Sequence, residues 1–253
     1  MTKIISDIKI LLNLFNGAKY DVVITKSKVL IRKFPEYLIL YNILGSAYQN
    51  IGNLKLAKEI FIRGLKLEPN NISIMNNLGN TLKNLGELSS AENLFKKIIK
   101  NEPKYINAYV NFGNLKRDSN NFKSAIDLYT QALKINEKNP VILYSIALAY
   151  QGLGKFKLAI EYAQRVLDID PKFTQADSLI SQSIKYKDGN KHLDDMNLKI
   201  NNLELDDNQK VDLLFALAKA NEDTNQIEKS FKNLSEGNQI RRRLINFNIN
   251  SEI

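Results

Sequence analysis

The residues with the clearest chemical potential are asparagines in two short runs, Asn77-Leu78-Gly79-Asn80 and Asn111-Phe112-Gly113-Asn114. A carboxamide offers both donors and an acceptor. It can therefore pair with the N–H and C=O of an extended peptide without reading its side chains. Residue types that do covalent or acid–base work are scarce. There is no cysteine, which excludes thiolate nucleophiles, thiolate metal sites and a disulfide framework. The one histidine, His192, stands apart from any second metal-ligating type and reads as a structural residue near a helix start. Asp194-Asp195, Asp206-Asp207 and Glu222-Asp223 are adjacent pairs, which a helix aims in different directions. No glycine-rich phosphate loop is present. The expectation is a non-enzymatic chain with no catalytic residue, metal or cofactor.

The elements that hold the asparagines repeat. Leu44-Gly45, Leu78-Gly79, Phe112-Gly113 and Ile146-Ala147 stand 34 residues apart. Ala57, Ala91, Ala125 and Ala159 keep the same step, as do Phe61, Phe95 and Tyr129, with Ala163 the weak member of that series. Pro35, Pro69, Pro103 and Pro171 share a register that Glu137 interrupts. Leu78, Gly79 and Leu82 fall on one face of a first helix, and Ala91, Phe95 and Ile98 on one face of a second. Small residues at Gly79 and Ala91 let the two backbones approach, and Phe95 fills the space beside them. Neither helix can bury its stripe alone, so each pair must stack on the next. By these residues the chain resembles the tetratricopeptide repeat family. The resemblance implies an all-α, right-handed superhelical solenoid of helix–turn–helix repeats.

The expected organisation is one solenoid over 1–253. A degenerate repeat occupies 1–37, with helices Lys3–Leu14 and Tyr20–Arg32 around an Asn16-Gly17 turn. Four well-formed repeats occupy 38–171. Degenerate repeats and capping helices occupy 172–253, including a helix over Phe173–Tyr186 with Ile180 and Ile184 in core slots, and a last helix from about Gln226 to Leu244 with Ser230 and Leu234 in the small and bulky slots. Glycines at 52, 86 and 154 end first helices, where a left-handed residue is cheapest without a side chain. No stretch is long and uncharged enough to span a membrane, and the N-terminus lacks the features of a signal peptide. With no cysteine, a cytoplasmic location is expected. The net charge of +9 comes from lysines spread over all the repeats. It reads as a solvated surface, with nucleic acid an unfavoured partner.

At 100° per residue, the face opposite the core stripe carries Ser73, Asn77, Asn80 and Asn84 in one repeat. The equivalent slots are Ile39, Ile43, Ser46 and Asn50; Asn107, Asn111, Asn114 and Asp118; and Val141, Ser145, Leu148 and Gly152. Stacked first helices would make these the inner wall of a groove, rich in asparagine at the centre and apolar at its flanks. The arrangement resembles the asparagine ladder of the superhelical repeats in O-GlcNAc transferase, through Asn77, Asn80, Asn111 and Asn114. That resemblance implies a protein or peptide ligand held by its backbone. Single hydrogen bonds exchanged with water contribute only about 0.5–1.5 kcal/mol, so micromolar affinity, about −8 kcal/mol, needs apolar anchors such as Ile39 or Leu148. The competing reading is compositional: Asn, Lys and Ile are abundant throughout, as an AT-rich genome would produce.

The C-terminal part reads Phe215-Ala216-Leu217-Ala218-Lys219-Ala220-Asn221-Glu222-Asp223, then Gly237-Asn238 and Arg241. Over residues 192–243 it is similar to the repeat region of bacterial proteins that join tetratricopeptide repeats to a sulfotransferase. The resemblance implies a substrate-recognition or regulatory region of such an enzyme, with a sulfotransferase domain as partner. None of that domain's donor-binding or catalytic positions is present.

Overall fold

The computed structural model describes residues 2–245, and all regular structure among them is helical. The helices come in pairs: α1 Thr2–Asn16 and α2 Tyr20–Lys33; α3 Leu38–Asn50 and α4 Leu54–Leu67; α5 Ile72–Asn84 and α6 Leu88–Asn101; α7 Ile106–Asp118 and α8 Phe122–Ile135; α9 Pro140–Gly152 and α10 Phe156–Ile169; α11 Thr174–Ser183 and α12 Lys191–Asn202; α13 Asp207–Asp223 and α14 Ile227–Leu244. The fold is that of a tetratricopeptide solenoid. The chain divides into two compact units, Met1–Leu115 and Lys116–Ile253. The last eight residues of the expected capping region, 246–253, lie outside the described residues.

Within the first unit each helix packs on the next in sequence from α1 to α6, and alternate helices also touch, α1 on α3 and α3 on α5. The close approach predicted from Gly45 and Gly79 is present. A β-carbon built on Gly45 would stand 2.4 Å from the Phe61 ring, and one on Gly79 2.7 Å from the Phe95 ring. Both rings are fully buried. In the second unit the same two slots hold Ala147 and Ala163, both fully buried. The weak member of the aromatic series is thus a compensated exchange, a larger residue on the first helix with a smaller one on the second.

The turns within pairs follow the same period. Ala18, Gly52, Gly86, Asn120 and Gly154, each 34 residues from the next, all have positive φ, between 54° and 80°. In the first pair the left-handed residue is Ala18, one position beyond the expected Asn16-Gly17 turn, because Lys19 closes the helix end by donating to the Leu14 carbonyl. An L-residue with a side chain is disfavoured there by about 1–2 kcal/mol. Ala18→Gly is expected to raise, and Gly86→Ala to lower, the unfolding free energy by about 1 kcal/mol each, read by urea denaturation followed by circular dichroism.

In the second unit, α9 packs on α8, α10 and α11, while α13 takes α11, α12 and α14. Two expectations are corrected here. The helix expected over Phe173–Tyr186 spans only Thr174–Ser183. Ile184 is extended, and Tyr186, 1% exposed, plunges between α12 and α13. The backbone can leave the helix because α13 supplies partners: Lys219 donates to the Ile184 carbonyl and the Tyr186 amide donates to Asp223. Leu234, expected in a bulky core slot, is 41% exposed. Its helix, α14, has its extensive packing on α13, and no other described helix covers the Leu234 side. Ser230, in the small slot, is buried as expected.

Candidate functional site

The described structure gives many of the asparagines two structural duties. The first is capping. Asn53, Asn71, Asn121, Asn139 and Asn190 each precede a helix and accept a backbone N–H of its first turn through the side-chain oxygen, which satisfies donors that would otherwise lack partners. The second is stitching first helices together. Asn77 Nδ2 donates to Asn42 Oδ1 at 2.8 Å, reaching from α5 back to α3, and Asn111 Nδ2 donates to Asn76 Oδ1 at 2.9 Å, from α7 back to α5. Each bond joins positions 35 residues apart, one repeat plus one residue. The next rung fails for a chemical reason: the acceptor slot holds Val110, and Ser145 turns its hydroxyl to the Val141 carbonyl at 2.8 Å.

Sequence reasoning missed Asn42 and the buried Asn76, which lies between the core stripe and the open face. The 35-residue diagonal between asparagines was the signal that could have found them. Asn77 Nδ2 also reaches the Ser46 hydroxyl at 3.5 Å, so the bonds leave the oxygen of Asn77, and one N–H and the oxygen of Asn111, without a partner among the described residues. Asn80 is half-buried, and no described residue bonds its amide. Asn114 is half-buried as well, with an interaction of its own. Ser73, Asn84 and Asn107 are exposed. Asn50 is exposed and folds its amide onto the Ser46 carbonyl at 2.8 Å. All of these lie in the first unit.

Asp118 and Leu148 belong to the second unit. Asp118 is exposed and accepts from Arg117 at 3.2 Å. Leu148 packs half-buried against the cluster of Leu143, Ala147 and Ile180. Of the apolar flank residues, Ile39 and Val141 are exposed, but Ile43 is 6% exposed. That expectation is corrected: Ile43 faces the packed side of α3 in the slot Asn77 occupies one repeat later, and it is not open to a ligand.

A second polar cluster is buried in the second unit. Lys199 on α12 donates to both oxygens of Asp177 on α11, at 2.8 and 2.6 Å. His192 Nε2 lies 3.1 Å from the same carboxylate, and its Nδ1 lies 2.6 Å from the Tyr186 hydroxyl. The carboxylate accepts, so Nε2 donates to it, and Nδ1 shares the remaining hydrogen bond with the phenol. The line Tyr–His–Asp has the look of a proton relay. Its ends are sealed, however: Asp177 is 0% and Tyr186 1% exposed, and burial drives the Tyr186 phenol far above its ordinary pKa. The cluster fastens the 184–190 segment to α11 and α12. At its rim, burial opposes ionisation of Asp223, but hydrogen bonds from Lys219 and the Tyr186 amide outweigh it and hold the carboxyl below its ordinary value. A depressed carboxylate stabilises above its unfolded pKa of about 4 and loses that contribution as pH falls through the folded value.

The comparisons agree with this architecture. The family profile described as tetratricopeptide repeat matches residues 39–71, and that of the tetratricopeptide repeat protein 21 C-terminal ARM domain matches residues 77–185. Fold and matched segments together support a chain built of tetratricopeptide-type repeats. Among solved structures, a tetratricopeptide repeat protein from Parabacteroides merdae aligns with a TM-score of 0.65 and 16% identity, over 93% of this chain and 92% of that one. PilW, a type IV pilus biogenesis factor, aligns with a TM-score of 0.66 and 16% identity, over 78% and 91%. A chain of the APC/C hetero-tetramer Cut9-Hcn1 aligns with a TM-score of 0.62 and 23% identity, over 70% of this chain and 36% of that one. No curated protein matches the sequence. No helix among the described residues is long and apolar enough to cross a membrane.

Proposed function

We propose that the chain is a non-catalytic interaction scaffold whose first unit holds an extended peptide segment against the open faces of α3, α5 and α7. The observation that carries this reading is the pair of stitched amides, Asn77 and Asn111. Each is fixed in direction by its bond to the preceding first helix, and each keeps an unpartnered oxygen, with a free N–H as well on Asn111. Pre-fixed groups lose little freedom on binding, which raises the net yield of each hydrogen bond. Asn80 and Asn114 extend the row, Ser73, Asn84, Asn107 and Asn50 form its edges, and Ile39 supplies an apolar anchor. Asp118 and Leu148, in the second unit, are proposed as contacts of that unit by itself. The tetratricopeptide fold supports a protein-interaction role, and the Cut9-Hcn1 chain and PilW, named for an assembly and for pilus biogenesis, share it.

The stitching changes how the site must be tested. Asn77→Ala and Asn111→Ala remove both a ligand contact and a helix–helix bond, whereas Asn80→Ala removes only a ligand contact. On a diverse peptide array, the Asn77, Asn80, Asn111 and Asn114 quadruple alanine variant should lose binding. Asn80→Ala alone should weaken it about three- to tenfold, as for one lost hydrogen bond, with no change in thermal midpoint. Unchanged binding by both variants removes the groove from this face.

The sulfotransferase partner stands as a finer proposal on the sequence resemblance alone. Lys219 and Asp223, within the resembling stretch, are occupied in holding the 184–186 segment. Sequencing the DNA that follows Ile253 tests it, since an adjacent Pro-Arg-Ser-Gly-Thr type loop would supply the missing domain.

A further inference from the structure

We propose that the outer side of the second helices in the first unit, α2, α4 and α6, is a separate interaction surface that takes an acidic segment of a protein partner. The net charge is not spread as the lysines are. These three helices carry eleven Lys or Arg against three Asp or Glu. The second helices of the second unit, α8, α10, α12 and α14, carry eleven against seven.

That contrast is an internal control. A lysine-rich genome and the preference for cations at helix C-termini act on both sets of helices alike. Neither explains why acids accompany the bases more sparsely on α2, α4 and α6 than on the second helices of the other unit. Nor do the surplus cations all sit where the helix dipole favours them. Lys26, Lys55, Arg63, Lys96 and Lys97 lie outside the last turns, and all five are exposed. Of the acids on these helices, Glu92 is engaged by Lys96, and the Lys58 partner, Glu87, lies just before α6. The positions 34 residues apart at 28, 62 and 96 and at 29, 63 and 97 read Lys-Val, Ile-Arg and Lys-Lys. Equivalent register places these pairs on one side of successive repeats.

The chemistry of the stripe selects the partner. Val29 is 45% and Ile62 39% exposed, standing among the cations. Aliphatic groups between ammonium groups suit a chain that alternates carboxylates with apolar side chains. A single-stranded nucleic acid would be served by exposed aromatic rings for stacking. Here Phe61 and Phe95 are fully buried, and Tyr20 packs edge-on against Phe15 at 5.3 Å. This surface lies on different helices from the proposed groove, so the two can fail independently.

The test uses the full chain and a fluorescein-labelled peptide of mixed Glu and Leu, with a DNA duplex and phosphatidylserine vesicles as parallel probes. Three forms are compared: wild type; Lys55→Glu, Lys66→Glu and Lys97→Glu together; and Lys123→Glu, Lys134→Glu and Lys157→Glu together. Circular dichroism verifies the helix content of each. The expected result is saturable, salt-sensitive binding of the acidic peptide, weakened about tenfold by the first-unit triple, as three surface ion pairs turned to repulsion would give, and unaltered by the second-unit triple. Equal loss in both triples, absence of saturable peptide binding, or tighter binding of DNA or vesicles than of the peptide overturns the proposal.

Discussion

Phe95→Ala is expected to destabilise the first unit by about 3–5 kcal/mol, the range for emptying a fully buried aromatic site. The ring is 0% exposed, rests against the bare α-carbon of Gly79 and stacks on Phe112 at 6.2 Å. Gly79→Ala should also destabilise, by about 1–3 kcal/mol, because its new methyl group would stand 2.7 Å from a ring that has no room to retreat. The informative variant is the double one. Ala147 and Ala163, both fully buried in one cluster, show that the second unit fills the same two slots with alanines. Gly79→Ala should therefore be less harmful, or even favourable, once Phe95 is already alanine, with a coupling of about 1–2 kcal/mol in the double-mutant cycle. Hydrogen exchange at the α5 and α6 amides, beside urea denaturation, reads this directly. Additivity of the two substitutions would mean that the glycine and the aromatic are not packing partners.

Asp177→Asn is expected to cost about 3–5 kcal/mol, because it strands the Lys199 ammonium in a site where its side chain is only 9% exposed. The loss should be concentrated in α11, α12 and the 184–190 segment, seen as faster amide exchange there than in α9 and α10. Removing both charges is the decisive comparison. Asp177→Leu with Lys199→Met replaces the pair by apolar groups of similar bulk, and such exchanges are often neutral or stabilising. Here the recovery should be partial, since His192 also loses its carboxylate and keeps only the Tyr186 hydroxyl. Full stability in Asp177→Asn would show that the cluster does not fasten the segment.

The repeat register made most of the fold legible, because each unit restates the same constraints. Gly45 and Gly79 under Phe61 and Phe95, and the left-handed turn residues at 52, 86 and 154, follow from local sequence. The helix ends that departed from expectation depend on distant residues. Nothing between Phe173 and Tyr186 announces that Lys219 and Asp223, more than thirty positions on, will take over the backbone groups of Ile184 and Tyr186. Leu234 has the spacing of a core residue and lacks only a neighbouring helix to bury it. The asparagine face was legible in outline only. Period arithmetic found Asn77 and Asn111, but it treated each repeat as a copy. The stitching bonds run diagonally between copies, from Asn77 to Asn42 and from Asn111 to Asn76. Hydrogen-bond direction between neighbouring helices is not encoded in a one-dimensional period.

The central claim is that the open face of α3, α5 and α7 reads a peptide backbone. The most direct measurement takes one unstructured peptide that binds and compares it with the same peptide N-methylated at alternate amides, following the side-chain amide resonances of Asn77, Asn80 and Asn111 by NMR. The account predicts that the parent peptide shifts these three resonances, that N-methylation on one alternation abolishes both the shifts and the affinity, and that the side-chain sequence matters little. Undiminished binding of both methylated peptides, or shifts that spare all three asparagines, would contradict it.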